Sequence, residues 1–478
     1  MKILFLIPPP LDGARAAERI FGCNYAIYYQ PNIFMLYPAT ILERAGHDIT
    51  YMDFPANGKG TVDFEHLCKE QDFDIVFFYS VFLSKRTDII ARDMLHKENP
   101  KTRFIFIGTE PSANSSSFVD DNSIVIRGES ESRVVPVVDA LKNGTSLKAI
   151  PGISYTMNGE IVDQGGIEII DDLDQLPIPD RTLLDSTRYN NPKLSSRPFA
   201  AMLTSRGCSF KCYYCVPNSL SFSREIGHKL IKAESKPPVR LRSPENIIAE
   251  VSYLAGAGYK SISFIDDQFV WGNKRAIEIC EGIAPFGMEW SCLARADMLQ
   301  DEDVVMAMAR AGCKSIDIGI ESFDQEILDY VQKDLKVETV YAAVKNLKRA
   351  GIEPELNILL ASCPLETKET IERTFQEALR LDVEYVLFSI CTPFPYTEFN
   401  RKANAEGWMI KPEYEPIDPI KESFISYPHL TKEELDRIIR RLYLRYYFRP
   451  AYIWKRLRKV RGFRDLLDKA RAACTILR

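Results

Sequence analysis

No stretch of these 478 residues approaches the ~18 uninterrupted apolar residues that a membrane-spanning helix requires. The opening apolar run, MKILFLIPPP, is too short for a secretion signal, meets three prolines and lacks a small-residue cleavage site. There is no internal repeat of the kind that builds solenoids, and no low-complexity tract. Cysteine is sparse: eleven residues, an odd number, scattered except for one cluster, which argues against a secreted disulfide framework. The expected compartment is therefore the reducing cytoplasm, where clustered thiols favour metal chemistry.

What is present is ordinary in bulk. Apolar residues make up 46% and charged residues 27%, enough for a sizeable core, and the length suggests about two to four domains. The formal charge of −5 is unevenly spread. From Arg437 onward fourteen Lys and Arg face two Asp, a net of +12, so the remainder carries −17. Tyr443, Tyr446, Tyr447, Phe448, Tyr452 and Trp454 interleave that basic tail. It reads either as a helical cap with its aromatics packed on the body and its arginines in water, or as a dock for an anionic surface such as a membrane.

Residues 1–150 alternate short β-rich runs (2–7, 48–54, 74–80, 103–108, 123–128) with helical stretches near 34–46, 61–71, 85–99 and 131–142. Near-continuous apolar strands separated by helices predict a doubly wound, Rossmann-like parallel sheet. Its ligands belong beyond the carboxyl ends of the strands, where Pro8, Pro9, Ser80, Gly108, Thr109, Gly128 and Glu129 fall. Residues 151–198 read as a hairpin turning at Asn158–Gly159, then a proline-punctuated linker. Six more strands (199–205, 261–266, 288–294, 315–320, 355–361, 384–390), with helices at 243–257, 273–285, 301–312, 324–350 and 367–381, predict a partial (β/α)6 barrel over 199–395. Residues 396–478 read as a helical cap.

The cysteine cluster, SRGCSFKCYYC at 205–215, lies at the C-terminal end of the first strand of that series, where barrel chemistry is expected. Cys208, Cys212 and Cys215 supply three thiolates, while a structural zinc site closes its shell with four ligands. Cys280, Cys292 and Cys313 are distant and lie in or beside helices and strands. By residue type alone, three-thiolate zinc and an iron–sulfur cluster both remain open.

The spacing Cys208-x3-Cys212-x2-Cys215, with Tyr214 before the last cysteine and Arg206–Gly207 ahead, resembles the signature of the radical S-adenosylmethionine (SAM) superfamily. The resemblance implies a [4Fe–4S] cluster on the three cysteines, with the fourth iron left for SAM. One-electron cleavage of SAM then gives a 5′-deoxyadenosyl radical that abstracts a substrate hydrogen. It also implies SAM contacts from Asp266 and Asp267 after the second strand, Arg295 after the third, and Glu321 and Ser322 after the fourth. Each has a plainer reading: Asp266, Asp267 and Ser322 as helix caps, Arg295 as a surface charge. LLASCPLETKET (359–370) and TPFPYTEF (392–399) resemble two further stretches of the superfamily, with Ser362, Leu365 and Tyr396 where glycine is usual. Cys363 and Cys391 nearby read as packing residues.

A doubly wound domain ahead of such a barrel resembles the cobalamin-binding radical SAM family, through IPPP, 39–55, FIGTEPS (106–112) and IRGESE (126–131). The resemblance implies cobalamin contacts from Pro8, Ser80, Gly108, Thr109, Gly128 and Glu129. His47, His66 and His96 do not form the Asp-x-His-x-x-Gly motif that ligates cobalt from below. The function so implied is methyl transfer to an unactivated carbon, or a phosphinate phosphorus, of a biosynthetic intermediate. Oxidative cyclisation or ring rearrangement on the same cofactors is the alternative. Sulfur insertion into tRNA is disfavoured because 1–150 holds only Cys23 and Cys68, and no nucleic-acid partner is expected. Implied partners are a small, lipid-like or tetrapyrrole-like substrate and a one-electron donor such as flavodoxin or ferredoxin.

Overall fold

A computed structural model describes residues 1–13, 16–17, 19–20, 28–70, 72–167, 169–215, 239–395, 397–410 and 421–458. Cys23, Tyr396 and the tail beyond 458 lie outside the described residues. Contacts divide the chain into two compact units. One comprises Met1–Ser209, Pro217–Phe269 and Gly282–Trp290; the other comprises Phe210–Val216, Val270–Glu281 and Ser291–Arg478.

In the first unit β1 (Lys2–Ile7), β2 (Asp48–Asp53), β3 (Ile75–Tyr79), β4 (Arg103–Ile107) and β5 (Ser123–Ile126) form a parallel sheet in the order β2-β1-β3-β4-β5. Its strands are aromatic and β-branched because both faces are covered. Phe5 stacks on Phe77 at 4.6 Å, and Phe78 on Phe106 at 5.1 Å. The intervening helices are α1 (Ile33–Arg44), α2 (Thr61–Glu70), α3 (Lys85–Glu98) and the short α4 (Thr109–Ala113), with α5 (Val134–Asn143) after β5. Asn32 caps α1 by accepting from the Phe34 and Met35 amides. The predicted hairpin forms as β6 (Ile153–Met157) and β7 (Glu160–Asp163), with Asn158 and Gly159 at φ 54° and 79°. It does not stand apart in a linker: β6 pairs antiparallel with β5 and extends the sheet to seven strands. Leaving β5 unpaired would expose its edge.

The second β/α series begins with β8 (Phe199–Met202), which leads through the two-residue strand β9 (Ser205–Arg206) into the cysteine loop. The chain returns through β10 (Arg240–Leu241), antiparallel to β9. Then follow α6 (Pro244–Gly256), β11 (Ser261–Phe264), which pairs in parallel with β8, α7 (Asn273–Ile283) and β12 (Glu289–Ala294). After α8 (Glu302–Arg310) come β13 (Cys313–Glu321), α9 (Gln325–Tyr330), α10 (Val337–Ala350), β14 (Glu353–Leu360), α11 (Lys368–Leu381) and β15 (Tyr385–Ile390). β13, β14 and β15 pair in parallel.

The helix predicted over 324–350 is two helices. Between α9 and α10 the residues at 331–336 alternate buried and exposed, and Gln332 and Asp334 are left-handed at φ 56° and 51°. Ile327, Leu328, Val331 and Leu335 are spaced as one helix face would be, which conceals the break.

α12 (Glu398–Ala405), α13 (Lys432–Tyr447) and α14 (Pro450–Arg458) follow. The tail's tyrosines have a specific task. β15 is an edge strand, and Tyr447 Oη accepts from the Val386 amide at 2.9 Å and donates to its carbonyl at 2.7 Å. Tyr443 does the same at Phe388, at 3.2 and 2.7 Å. Two hydroxyls thus stand in for the missing neighbour strand. We expect Tyr443→Phe and Tyr447→Phe each to cost about 1–3 kcal/mol in denaturant unfolding, since each strands a backbone donor and acceptor; a neutral double variant would refute this role. The arginines do not all face water. Arg449 lies over Tyr446, and Arg456 pairs with Glu384 over the Tyr385 ring, while Ile453, Trp454 and Leu457 are exposed. Among the described residues no helix is long and apolar enough to cross a membrane.

Candidate active site

In the first unit the approach to the cysteine loop is held by Asp266. Its Oδ1 accepts from the Thr204 amide (2.8 Å) and hydroxyl (3.0 Å), and from the Ser205 amide and hydroxyl (2.7 Å). A fully buried carboxylate with these donors shapes the chain just ahead of Cys208, instead of capping the following helix.

At the carboxyl edge of the seven-stranded sheet the order 2-1-3-4-5 puts a topological switch point between β1 and β3. A small cleft there is walled by Pro8, Pro10, Ala16, Ala17, Pro55 and Arg19 among others. A second is lined by Phe34, Tyr79, Gly108, Gly128, Glu129 and Arg206 among others. Pro8, Gly108, Gly128 and Glu129, expected at the corrinoid, thus line these clefts. The expected residues also serve the protein itself. Ser80 donates to Asp88 at 2.6 Å, and Glu129 grips Arg240 at 2.6 Å. Gly108 is needed by the protein itself: at φ 108° an added Cβ would sit 2.5 Å from the Ser80 carbonyl. Thr109 opens α4, and the Gly128 amide donates to Ser112.

In the second unit Cys212 and Cys215 share a turn, the Cys215 amide donating to the Cys212 carbonyl at 3.1 Å. Tyr213 anchors it: its amide donates to Val331, its carbonyl accepts from Phe399, and its hydroxyl donates to the Ser362 carbonyl. None of the three loop cysteines is in a disulfide; Cys212 is buried, Cys208 and Cys215 half-buried. Tyr214 Oη is buried with no partner among the described residues. Burial, then the nearby Cys212 and Glu321, holds its pKa well above that of an ordinary phenol.

Glu321 ends β13 at φ 62°, after a bulge, and pairs with Lys333 Nζ at 2.6 Å. Lys333 comes from the break between α9 and α10. Burial lowers its pKa, but Glu321 and Cys212 outweigh that and raise it, so the ammonium stays charged beside the cysteine turn. Gly319 makes room: a Cβ there would lie 2.9 Å from Glu321 Oε1 and 3.0 Å from Lys333 Nζ. Arg295, expected on a ligand carboxylate, braces that break, donating to the carbonyls of Lys333 (2.9 Å) and Asp334 (2.5 Å) and lying 3.5 Å over the Phe210 ring. Ser322 does not cap the next helix, which Asp324 caps by accepting from the Glu326 and Ile327 amides; Ser322 Oγ accepts from the Asp324 amide at 3.1 Å and shares a hydrogen bond with Thr374.

The loop after β14 is fixed by Glu366, which accepts from the Ser362 amide, and by Tyr427, which donates to the carbonyl of left-handed Ala361 at 3.1 Å. Burial pushes the Glu366 carboxyl up to about 8 and the Cys363 thiol up to about 12, and holds the Cys391 thiol well above the ordinary range. Both cysteines are therefore inert packing residues at neutral pH.

Among the described residues no three His, Cys, Asp or Glu side chains converge on a single metal ion. A cubane asks for something else, since each thiolate binds its own iron and the sulfurs surround the cluster. In the second unit the undisulfided Cys212 and Cys215, the Tyr214 hydroxyl with no partner among the described residues and a charged Lys333–Glu321 pair suit cluster ligands with a zwitterionic ligand beside them. Lys333 had no sequence signal, because a buried lysine inside an apparent helix looks like surface.

A β/α series with a three-cysteine loop at its first strand and charged side chains gathered at later strand ends belongs to the barrel-type metal-cluster enzymes. The model of the Radical SAM superfamily matches residues 202–378. The uncharacterized methyltransferase PH0819 of Pyrococcus horikoshii is 31% identical over 477 residues, 97% of this chain and 96% of that one. The anaerobic magnesium-protoporphyrin IX monomethyl ester cyclase of Cereibacter sphaeroides is 25% identical over 350 residues, 70% of this chain and 53% of that one. The structure of the cobalamin-dependent SAM radical enzyme OxsB, with aqua-cobalamin and SAM bound, matches at a TM-score of 0.71 and 16% identity, covering 100% of this chain and 71% of that one. The chain belongs to the radical SAM superfamily. It is an enzyme with the fold of a cobalamin-dependent member.

Proposed function

We propose that this enzyme is a cobalamin-dependent radical SAM methyltransferase acting on an unactivated carbon, or a phosphinate phosphorus, of a biosynthetic intermediate. The carrying observation is end-to-end similarity to a protein named as a methyltransferase, in a chain whose three-cysteine loop follows β8. Cys208, Cys212 and Cys215 would hold a [4Fe–4S] cluster, Lys333, Glu321 and Tyr214 would border SAM, and the residues at the carboxyl edge of the first sheet would hold cobalamin. When bound, these groups supply reductive sulfonium cleavage, a carbon-centred radical and a transferable methyl group. The chain's own work is positioning and shielding. Tyr213 and Arg295 fix the cysteine turn and the Lys333 segment, the Lys333 ammonium pairs with a carboxylate, and buried aromatics exclude water.

Similarity to the cyclases favours a second reading, oxidative cyclisation or rearrangement on the same cofactors. We place the enzyme in the cytoplasm, reduced by a flavodoxin or ferredoxin, with a small, lipid-like or tetrapyrrole-like substrate. Its basic tail, with exposed Trp454 and Leu457, is suited to an anionic membrane surface. Anaerobic purification with cobalamin supplied tests the cofactors: metal analysis should give about four irons per chain, as one cubane requires, and the optical spectrum should show a corrinoid. Zinc in place of iron refutes the reading. Product mass decides between the two chemistries, with a gain of one CH2 for the transferase and none for the cyclase.

A further inference from the structure

In the first unit the approach to Cys208 is a narrow neck. β9 and β10 pair over two residues only, Arg206 opposite Arg240. A ladder that short cannot fix a loop by itself. The neck is instead held by two carboxylates on the turn after β5. Arg240 donates both terminal nitrogens to Glu129 at 2.6 Å, and Nη1 also donates to the Ile170 carbonyl. Arg206 Nη2 meets Glu131 at 2.5 Å and Nη1 lies 3.3 Å from Glu129, with the rings of Phe34 and Tyr37 5.9 and 5.3 Å away. All four charged side chains are more than nine-tenths buried, and two positive charges balance two negative.

We infer that Glu129 and Glu131 form a positioning clamp for the metal cluster, gripping both ends of the excursion that carries Cys208. The clamp rests on the reading that the three cysteines hold that cluster. Bidentate arginine–carboxylate pairs admit one geometry. Arg206 stands two residues before Cys208, and left-handed Gly207, at φ 101°, is the hinge between them. Removing one carboxylate leaves a buried cation uncompensated, and the cheapest relief is for Arg206 to swing out about Gly207 and carry Cys208 with it. Glu129, placed by family resemblance against a cofactor, here supports the other cofactor's loop.

The test uses the full chain, reconstituted anaerobically, as Glu131→Gln, Arg206→Lys and the swap Arg206→Glu/Glu131→Arg. Iron per chain, the EPR spectrum of the reduced cluster and the rate of SAM cleavage are measured beside thermal unfolding of the apo form. For Glu131→Gln, cluster retention or SAM cleavage, measured well below the temperature at which the apo form unfolds, should fall by about ten- to a hundred-fold, the range for groups that orient metal ligands. Arg206→Lys keeps the charge but loses the fork, so it should keep its iron with an altered EPR spectrum and slower cleavage, and the swap should recover most of the iron. Full iron, an unchanged EPR spectrum and unchanged cleavage in both single variants would overturn the clamp. Wild type without a cluster sinks the underlying reading and the clamp with it; intact wild type with indifferent variants sinks the clamp alone.

Discussion

Cys212→Ala should yield a folded protein that assembles no complete cluster and cleaves no SAM above the assay background. The side chain is buried, and the turn around it depends little on the sulfur. Tyr213 holds that turn through Val331, Phe399 and Ser362, and the Cys215 amide reaches the Cys212 carbonyl, not its side chain. Alanine therefore removes a ligand while leaving the backbone in place. A cubane on three protein thiolates has no spare ligand, and Cys363 and Cys391 are unsuited to substitute because burial keeps their thiols protonated. Iron analysis and visible absorption of anaerobically reconstituted protein, with deoxyadenosine release, check this. A Cys212→Ala protein with full iron and wild-type cleavage would end the assignment of this loop.

Glu250→Gln should be the most destabilising conservative change in the first unit. Glu250 is completely buried on α6 and pairs with Arg181 and with Arg242 Nη1, the latter at 2.6 Å. Those arginines also donate to the carbonyls of Ala201 (3.1 Å) and Leu203 (2.7 Å), at the end of the strand that leads to the cysteine loop. Glutamine keeps the shape but leaves two buried guanidiniums without a counter-charge. Breaking a buried pair in this way costs about 3–5 kcal/mol, a shift in Tm on the order of 10 °C.

The acid limb carries the same information. Burial raises the Glu250 pKa, but Arg181 and Arg242 outweigh it, and the folded-state value lies below that of an ordinary glutamate. The stabilisation is then fully present above the unfolded-state pKa, near 4.3, and disappears as pH falls through the lower folded-state value. Wild type should lose stability in that window, and the gap between it and Glu250→Gln should narrow there. A gap independent of pH would show that the carboxylate charge is not what holds the arginines.

Much of this molecule was legible in one dimension because the signals are local. Apolar runs gave the strands of both β/α series, Asn158–Gly159 gave the hairpin, and Cys208-x3-Cys212-x2-Cys215 gave the chemistry at a strand end. Other assignments carry a second task that spacing does not show. Asp266, Arg295, Ser80 and Glu129, expected at cofactors from family resemblance and strand-end position, each also bond the protein's own backbone or side chains. Lys333 was invisible because the apolar spacing around it continues a helix that the chain breaks. The tail's tyrosines were seen as packing, but their hydroxyls complete an edge strand.

Sequence alone determined the periodicities, the turn and the order of the thiols, since each is a property of neighbours along the chain. Only the tertiary structure decided which charges are already neutralised. A carboxylate's availability depends on which distant cation reaches it once water is excluded, and spacing along the chain does not record that encounter.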